Sequence, residues 1–190
     1  MPHTRNMINF LNETLRQLFL GKVAEIESAA QVSFEFPDED FRSQVKTNGR
    51  AMLNVCLVEL KENRTSSPGS NWAPADVGTL ERRIDCHYLI SAWSPATKSV
   101  EPTLDEHALL YKALAALMRA EPLSPLKVFG ATRPPANFPS NFLNSSLPTM
   151  VLPVEKYEKT GEFWNATRSV HWKPTVHLIV TLPVLAEAAA

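Results

Sequence analysis

The sequence predicts an α+β fold, in which a mostly antiparallel or mixed β-sheet is flanked by two main helices. From Ile84 to Trp93, apolar side chains occupy every second position, the pattern of a strand with one buried face. In residues 6–20 and 103–118, apolar side chains instead recur at helical spacing. Because a helix buries its apolar stripe by packing on a sheet, these patterns together favour helices laid across one sheet.

The first main helix is predicted over residues 6–20, with Gly21 as its C-terminal stop. Its apolar stripe consists of Ile8, Leu11, Leu15, Leu18 and Phe19. Alternation over residues 32–36 then predicts a short strand that ends at Pro37. The acidic residues 38–40 predict a turn. They lack the glycine and terminal glutamate spacing of a calcium-binding loop.

A long antiparallel hairpin is predicted in the middle of the chain. Residues 51–60 are nearly continuous in apolar side chains, which is typical of a central strand that is buried on both faces. A loop over residues 65–79, rich in Ser, Pro and Gly, connects this strand to the alternating segment 84–93.

The second main helix is predicted to begin with a capping box. In that motif, the hydroxyl of Thr103 and the carboxylate of Glu106 accept hydrogen bonds from backbone N–H groups at the helix start. We expect the stripe facing the sheet to contain His107, Leu110, Tyr111, Leu114, Leu117 and Met118.

The segment after this helix is rich in proline. Residues 122–153 hold seven of the fifteen prolines, so regular structure is not expected before Leu147. Phe129, Phe138 and Phe142 are spaced along this arm, which favours docking onto a surface over plain disorder. We predict that this surface belongs to a neighbouring molecule, with the core of the same subunit as the alternative.

Three shorter elements complete the predicted fold. Residues 149–154 predict a strand, and residues 158–167 predict a short helix that presents Phe163 and Trp164. Pro174 opens the last strand. Its inward-facing residues are Val176, Leu178, Val180 and Leu182.

Composition excludes several classes of function. A net charge of −1 argues against a nucleic-acid partner, because binding phosphates needs a surplus of Lys and Arg. No apolar run approaches the roughly 18 residues of a membrane span, and no secretory leader is visible, so we expect no membrane partner and synthesis in the cytoplasm. Cys56 and Cys86 fall inside predicted strands, where they are expected to be buried thiols.

No local pattern indicates a catalytic, cofactor-binding or metal-binding site. None of the five histidines has a second ligand at metal-site spacing, and the six glycines form no phosphate-binding loop. We therefore expect no enzymatic activity, no catalytic residues, no cofactor and no metal. A small ligand-binding or catalytic domain stays open as an alternative, and a deep pocket with convergent polar groups would be its sign.

A series of short segments, in a fixed order and spacing, resembles the tail-terminator, or cap, family of contractile injection systems, the phage-tail-like particles of bacteria. The resemblance covers Met7 to about Val184. The segments are Glu62-Asn63-Arg64, Asn71-Trp72, Asp85 to Trp93, Asp105 to Leu110, Glu162-Phe163-Trp164, Lys173 to Leu178, and Thr181-Leu182-Pro183.

The resemblance implies a structural protein with a tail-terminator-like fold. Its members are expected to form a homo-hexamer, a six-fold ring that terminates the inner tube and the contractile sheath and links them at the distal end. The implied partners are the inner tube protein and the sheath protein of the same particle, with assembly in the cytoplasm before the ring becomes part of that particle. Another tail component, an assembly chaperone or a baseplate adaptor, is the alternative.

The domain organisation expected from these patterns is simple. Residues 1–6 form an N-terminal extension, residues 7–184 form one domain with the proline-rich arm at 122–148, and residues 185–190 form a flexible tail. A ring subunit contacts its neighbours through two different patches, and isolated aromatic residues in loops could supply them. The candidate interface residues are Arg64, Trp72, Phe129, Phe138, Phe142, Phe163 and Trp164.

Overall fold

A computed structural model describes residues 7–63, 82–96, 101–130, 132, 134–153, 160–167 and 172–184. Its elements confirm the predicted α+β class, with α1 and α3 as the two main helices. In chain order the elements are α1 (Met7–Lys22), a 3-10 turn (Ala29–Gln31), β1 (Val32–Ser33), α2 (Glu39–Asn48), β2 (Met52–Asn63), β3 (Arg83–Trp93), α3 (Pro102–Arg119), α4 (Pro125–Phe129), α5 (Ser140–Leu143), β4 (Thr149–Val151), α6 (Thr160–Ala166) and β5 (Val176–Pro183).

The strands form one mixed sheet in the order β1-β2-β3-β5-β4. Only β1 and β2 pair in parallel, and the other pairs are antiparallel. The predicted hairpin of β2 and β3 is confirmed, with a register that runs from Met52 opposite Trp93 to Asn63 opposite Arg83. A β-bulge interrupts it between Leu57 and Glu59. The two edge strands are short: β1 has two residues and β4 has three.

One face of the sheet carries the main core, which α1, α3 and the proline-rich arm cover. Leu11 and Leu15 of α1 pack with Tyr88 and Ile90 of β3, and all four are fully buried. The hydroxyl of Tyr88 donates a hydrogen bond to Asn12 Oδ1 at 2.8 Å, so its burial leaves that group satisfied. Each fully buried side chain of this size stabilises the fold by about 1.5–3 kcal/mol.

The prediction that β3 has one buried face is wrong, because His87, Leu89 and Ser91 on its other face are also buried. Part of this second face is covered by α2, which begins where the sequence predicted only a turn. The carboxylate of Asp38 accepts from the N–H of Phe41 at 3.0 Å, so it is a helix cap. The second core consists of Phe41, Val45, Met52, Trp93 and Trp164.

The predicted capping box of α3 is also wrong. The helix begins at Pro102, its N-cap residue Glu101 has a φ of 48°, and no side chain caps the first turn. Pro102 needs no partner for its nitrogen, because proline has no N–H to satisfy there. The Glu106 carboxylate instead accepts from the N–H of Ser94 at 3.1 Å and from Lys173.

The face that α3 turns to the sheet matches the predicted stripe only in part, since Leu117 is buried there and Leu110 and Leu114 pack against the main core. Its buried residues are Leu109, Ala113, Ala116 and Leu117. Tyr111 and Met118 are 71% and 49% exposed. Two alanines on the inner face let the helix backbone approach the sheet closely, and a prediction that weighs only large apolar side chains overlooks them.

Several element boundaries differ from the prediction, and β2, for example, runs to Asn63 rather than to residue 60. Helix α1 continues through Gly21 to Lys22. The first strand stops at Ser33, and the side chain of Asn54 donates to the carbonyl oxygen of Glu35 at 2.8 Å where a backbone ladder would have continued. Strand β4 ends at Val151, and Leu152 follows with a positive φ of 52°.

Candidate functional site

The three arm phenylalanines form an aromatic cluster inside the subunit. Phe129, Phe138 and Phe142 are 4%, 8% and 1% exposed. The ring centroid of Phe138 lies 4.8 Å from that of Phe10, 5.2 Å from that of Phe129 and 5.8 Å from that of Phe142. Aromatic pairs at such distances stabilise a fold by more than the burial of their apolar surface alone. The arm therefore packs on its own core, and these side chains do not serve as exposed anchors.

Local hydrogen bonds hold the arm in this position. Backbone groups of Leu123 and Leu147 bond to each other in both directions, at 3.0 and 2.8 Å. The hydroxyl of Ser145 donates to the carbonyl oxygen of Phe142 at 2.6 Å. The expectation of no regular structure before Leu147 is thus wrong, because prolines at or just before the helix starts leave room for the short helices α4 and α5.

Phe163 and Trp164 lie on the second face of the sheet. Trp164 is 5% exposed, and its ring centroid is 6.5 Å from that of Trp93. Phe163 is half-buried, and its ring meets that of Phe36 edge to face at 5.4 Å. Five of the seven candidate interface residues lie in the described part of the chain, and among those five only Phe163 is partly exposed. Arg64 and Trp72 lie outside the described residues.

A charged pair that the sequence analysis did not identify joins α3 to the chain segment before β5. Lys173 Nζ lies 2.5 Å from Glu106 Oε2, and both side chains are less than one fifth exposed. The same ammonium group lies over the ring of Trp93, 4.7 Å from its centroid. The pair spans 67 residues of sequence, so no local pattern could reveal it.

Two histidines that the sequence analysis treated as unrelated meet on the second face of the sheet. His87 Nδ1 and His177 Nε2 are 3.1 Å apart, on the neighbouring strands β3 and β5. Burial, and then its neighbour His87, lower the pKa of His177 to about 4. Burial likewise lowers the pKa of His87, with Lys61 adding to the effect and Glu59 and Asp85 opposing it. The pair is therefore uncharged at neutral pH.

The cysteines are free and buried, as predicted. Burial raises the pKa of the Cys56 thiol to about 11 and that of the Cys86 thiol to about 12. Thiols with such pKa values stay protonated at neutral pH and are poor nucleophiles. These two side chains therefore pack as small apolar groups.

The described residues do not assemble a recognisable catalytic or metal centre. No group of three or more His, Cys, Asp or Glu side chains among them could hold a metal ion. A cleft of about 720 Å³ lies at the C-terminal ends of α1 and α3, lined by apolar side chains such as Leu18 and Val128 and by basic ones such as Lys22, Arg119 and Lys127. Among the described helices, none is long and apolar enough to cross a membrane.

The α3 helix presents a second apolar face to solvent. We call it the outer seam, and its residues are Leu104, Ala108, Tyr111, Ala115 and Met118. Leu104 is 62% exposed, in addition to the exposed Tyr111 and Met118 noted above. Steps of four and three residues separate its members, so this second apolar stripe can be read from the sequence. The sequence-based prediction placed two of its members, Tyr111 and Met118, on the face towards the sheet.

The family model described as the Pvc16 N-terminal domain matches residues 6–190. None of the curated proteins matches the sequence. Among solved structures, the PVC sheath/tube terminator of an extracellular contractile injection system, in its extended state, has a TM-score of 0.59 at 19% identity. The match covers 97% of this chain and 58% of that one.

A second solved structure is similar in fold, the tube-terminating cap of the anti-feeding prophage. Its TM-score is 0.58 at 19% identity, and the match covers 97% of this chain and 57% of that one. The present chain thus spans less than two thirds of the length of either structure. At this identity, the similarity establishes the fold.

Proposed function

Because the chain belongs to the Pvc16 N-terminal domain family, we propose that it is a structural cap of a contractile injection system. In this role it forms a homo-hexameric ring that ends the inner tube and the contractile sheath and links the two at the distal end. The observation that carries the proposal is a fold shared over 97% of this chain with a sheath/tube terminator and a tube-terminating cap. Those two structures support the tube and sheath proteins of the same particle as partners.

The described part of the molecule is consistent with a protein that acts by contact. Its two cores lie on opposite faces of one sheet, and its buried thiols and uncharged histidine pair offer no activated nucleophile. We propose that the chain has no enzymatic activity, needs no cofactor, and contacts neither nucleic acid nor membrane. It would be assembled in the cytoplasm and then remain part of the particle.

A closed ring needs two different patches on each subunit, because neighbours related by a six-fold axis meet through unlike surfaces. Of the candidate interface residues, Arg64, Trp72 and the half-buried Phe163 remain proposals for such contacts. Trp164 would support Phe163 from inside the subunit, whereas the three arm phenylalanines are buried on the opposite face of the sheet. Their burial keeps the surface above them in a fixed shape.

Electron microscopy of particles from a strain that lacks this gene tests the proposal. Without a cap, tube and sheath polymerisation has no stop, so we expect overlong tubes with a broad length distribution. A plasmid copy of the gene should restore uniform length. Tubes and sheaths of normal, uniform length in the deletion strain would refute the terminator role.

A further inference from the structure

The outer seam of α3 is an apolar stripe without a partner within the described subunit. The helix already buries one face against the sheet through Leu109, Ala113, Ala116 and Leu117. On the outer face, Leu104, Tyr111 and Met118 are 62%, 71% and 49% exposed. A surface helix normally has one apolar stripe and a polar opposite face, so a second stripe indicates a second packing partner.

The spacing of the seam is suited to another helix. Large and small side chains alternate along it, with Ala108 and Ala115 between Leu104, Tyr111 and Met118. Steps of four and three residues keep a stripe facing a partner helix over several turns, and large residues pack best opposite small ones. None of the other described helices carries more than one exposed large apolar side chain. The helix that matches α3 is therefore α3 of a second copy.

We propose that unassembled subunits pair through their outer seams, with the two α3 helices antiparallel. In this arrangement, Tyr111 of each copy lies opposite Ala115 of the other, and Met118 lies opposite Ala108. Each of these layers then combines one large and one small side chain, which permits close approach of the two helices. Antiparallel helices also bring the positive end of each helix dipole near the negative end of the other.

The charges beside the seam favour the same orientation. Asp105 and Arg119 each follow a seam residue directly, so they lie along one flank, with the acid near the start of α3 and the base near its end. Within the described part of the chain, neither side chain forms an ion pair. Lys112, between them on this flank, is already paired with Glu25. The antiparallel register places Asp105 of one copy beside Arg119 of the other, twice by symmetry.

This contact goes beyond the proposed cap function. An antiparallel helix pair has a two-fold axis, so it closes on itself and cannot repeat around a six-fold ring. The pair is therefore a state of the free subunit that ring assembly has to exchange for other contacts. Its existence is independent of whether the chain ends a tube.

Sedimentation equilibrium of the purified full-length chain, from about 1 to about 200 μM, measures the pairing. We expect a reversible dimer. Tyr111→Lys places two ammonium groups in the centre of the seam and should weaken the dimer at least about 30-fold. Leu126→Lys is the matched control, because it introduces the same side chain at an exposed apolar residue of α4 that is not a member of the seam. This control should leave the dimer unchanged.

A charge exchange tests the orientation. Asp105→Arg should weaken the dimer about five- to tenfold, because like charges then meet at two symmetric positions. The double variant Asp105→Arg with Arg119→Asp should restore it. Circular dichroism must show that each variant is folded. A monomer at every concentration, a dimer that Tyr111→Lys does not weaken, or an exchange that does not restore binding would overturn the proposal.

The result can be separated from the cap function. The length of tubes in the deletion strain tests termination, and sedimentation of the purified chain tests pairing. A dimer from a protein whose loss leaves tube length normal would support the pairing and refute the cap. A strict monomer whose loss gives overlong tubes would do the reverse.

Discussion

At the scale of single residues, the ion pair of Lys173 and Glu106 is the least exposed among those of the described chain, at 19% and 13%. It draws together α3, the end of β3 and the segment that leads into β5. Removing one member leaves the other charge buried without its partner, which costs more than the pair contributes. This pair therefore holds the second face of the sheet in its arrangement.

We predict that Lys173→Ala lowers the free energy of unfolding by about 3 kcal/mol, because Glu106 loses its counter-ion and Trp93 loses the cation above its ring. Urea denaturation of the purified chain measures this change. Lys112→Ala is the control, since its pair with Glu25 is 50% and 40% exposed and should contribute less than about 1 kcal/mol. Equal costs for the two variants would contradict the prediction.

The histidine pair predicts how stability depends on pH. His177 has a pKa of about 4 in the folded chain, below the ordinary value of 6.5. As the pH falls from about 6.5 towards 4, the unfolded chain binds protons that the folded chain does not bind, so folding loses free energy. The melting temperature should fall across this window. His177→Gln should flatten the dependence, and an unchanged slope in that variant would speak against the pair as its source.

Residue-scale features were the least predictable from sequence. The histidines that meet are 90 positions apart, and the charges of Lys173 and Glu106 are 67 apart. Such pairs arise from strand order and helix placement, and these are properties of the whole fold. The cap at Asp38 could have been predicted locally, because an acidic residue just before an apolar-periodic stretch is as typical of a helix N-cap as of a turn.

At the scale of elements, the strands and main helices were predictable because their apolar periods are long and regular. The faces of α3 were not, since a helix with two apolar stripes has two possible inner faces and only packing selects one. The proline-rich arm was also difficult to predict. Its prolines led to the expectation of no regular structure, which α4 and α5 contradict, and they could not say on which surface the phenylalanines dock.

The arm yields a direct prediction. Phe142→Ala should destabilise the free subunit by about 3–5 kcal/mol, because it removes a ring that is 1% exposed and contacts Phe10 and Phe138. Thermal unfolding of the purified chain measures the loss. Leu126→Ala, an exposed apolar position on the same arm, should change stability by less than about 0.5 kcal/mol. A Phe142→Ala variant as stable as the parent would place the arm outside the core.

At the scale of the whole molecule, two solved structures share this fold over 97% of the chain. The order and spacing of short segments between Glu62 and Pro183 were enough to indicate the family from the sequence alone, and the family model over residues 6–190 confirms it. The ring itself is a property of several chains, so neither the sequence nor one subunit determines which patches meet.

The proposed ring predicts both location and number. An epitope-tagged chain, expressed from its own locus, should label one end of each particle under the electron microscope. Reconstruction of that end should have six-fold symmetry, with six copies of the tagged chain. Label along the whole sheath, or at the opposite end, would point to a different tail component.

The edges of the sheet have a consequence for how this protein meets others. With two residues in β1 and three in β4, the outermost strands themselves offer few backbone groups on which a foreign strand could extend the sheet. The positive φ of Leu152 and the flanking Pro148 and Pro153 shorten the β4 edge further. At these two short strands, recognition of other chains therefore falls to side chains rather than to strand addition.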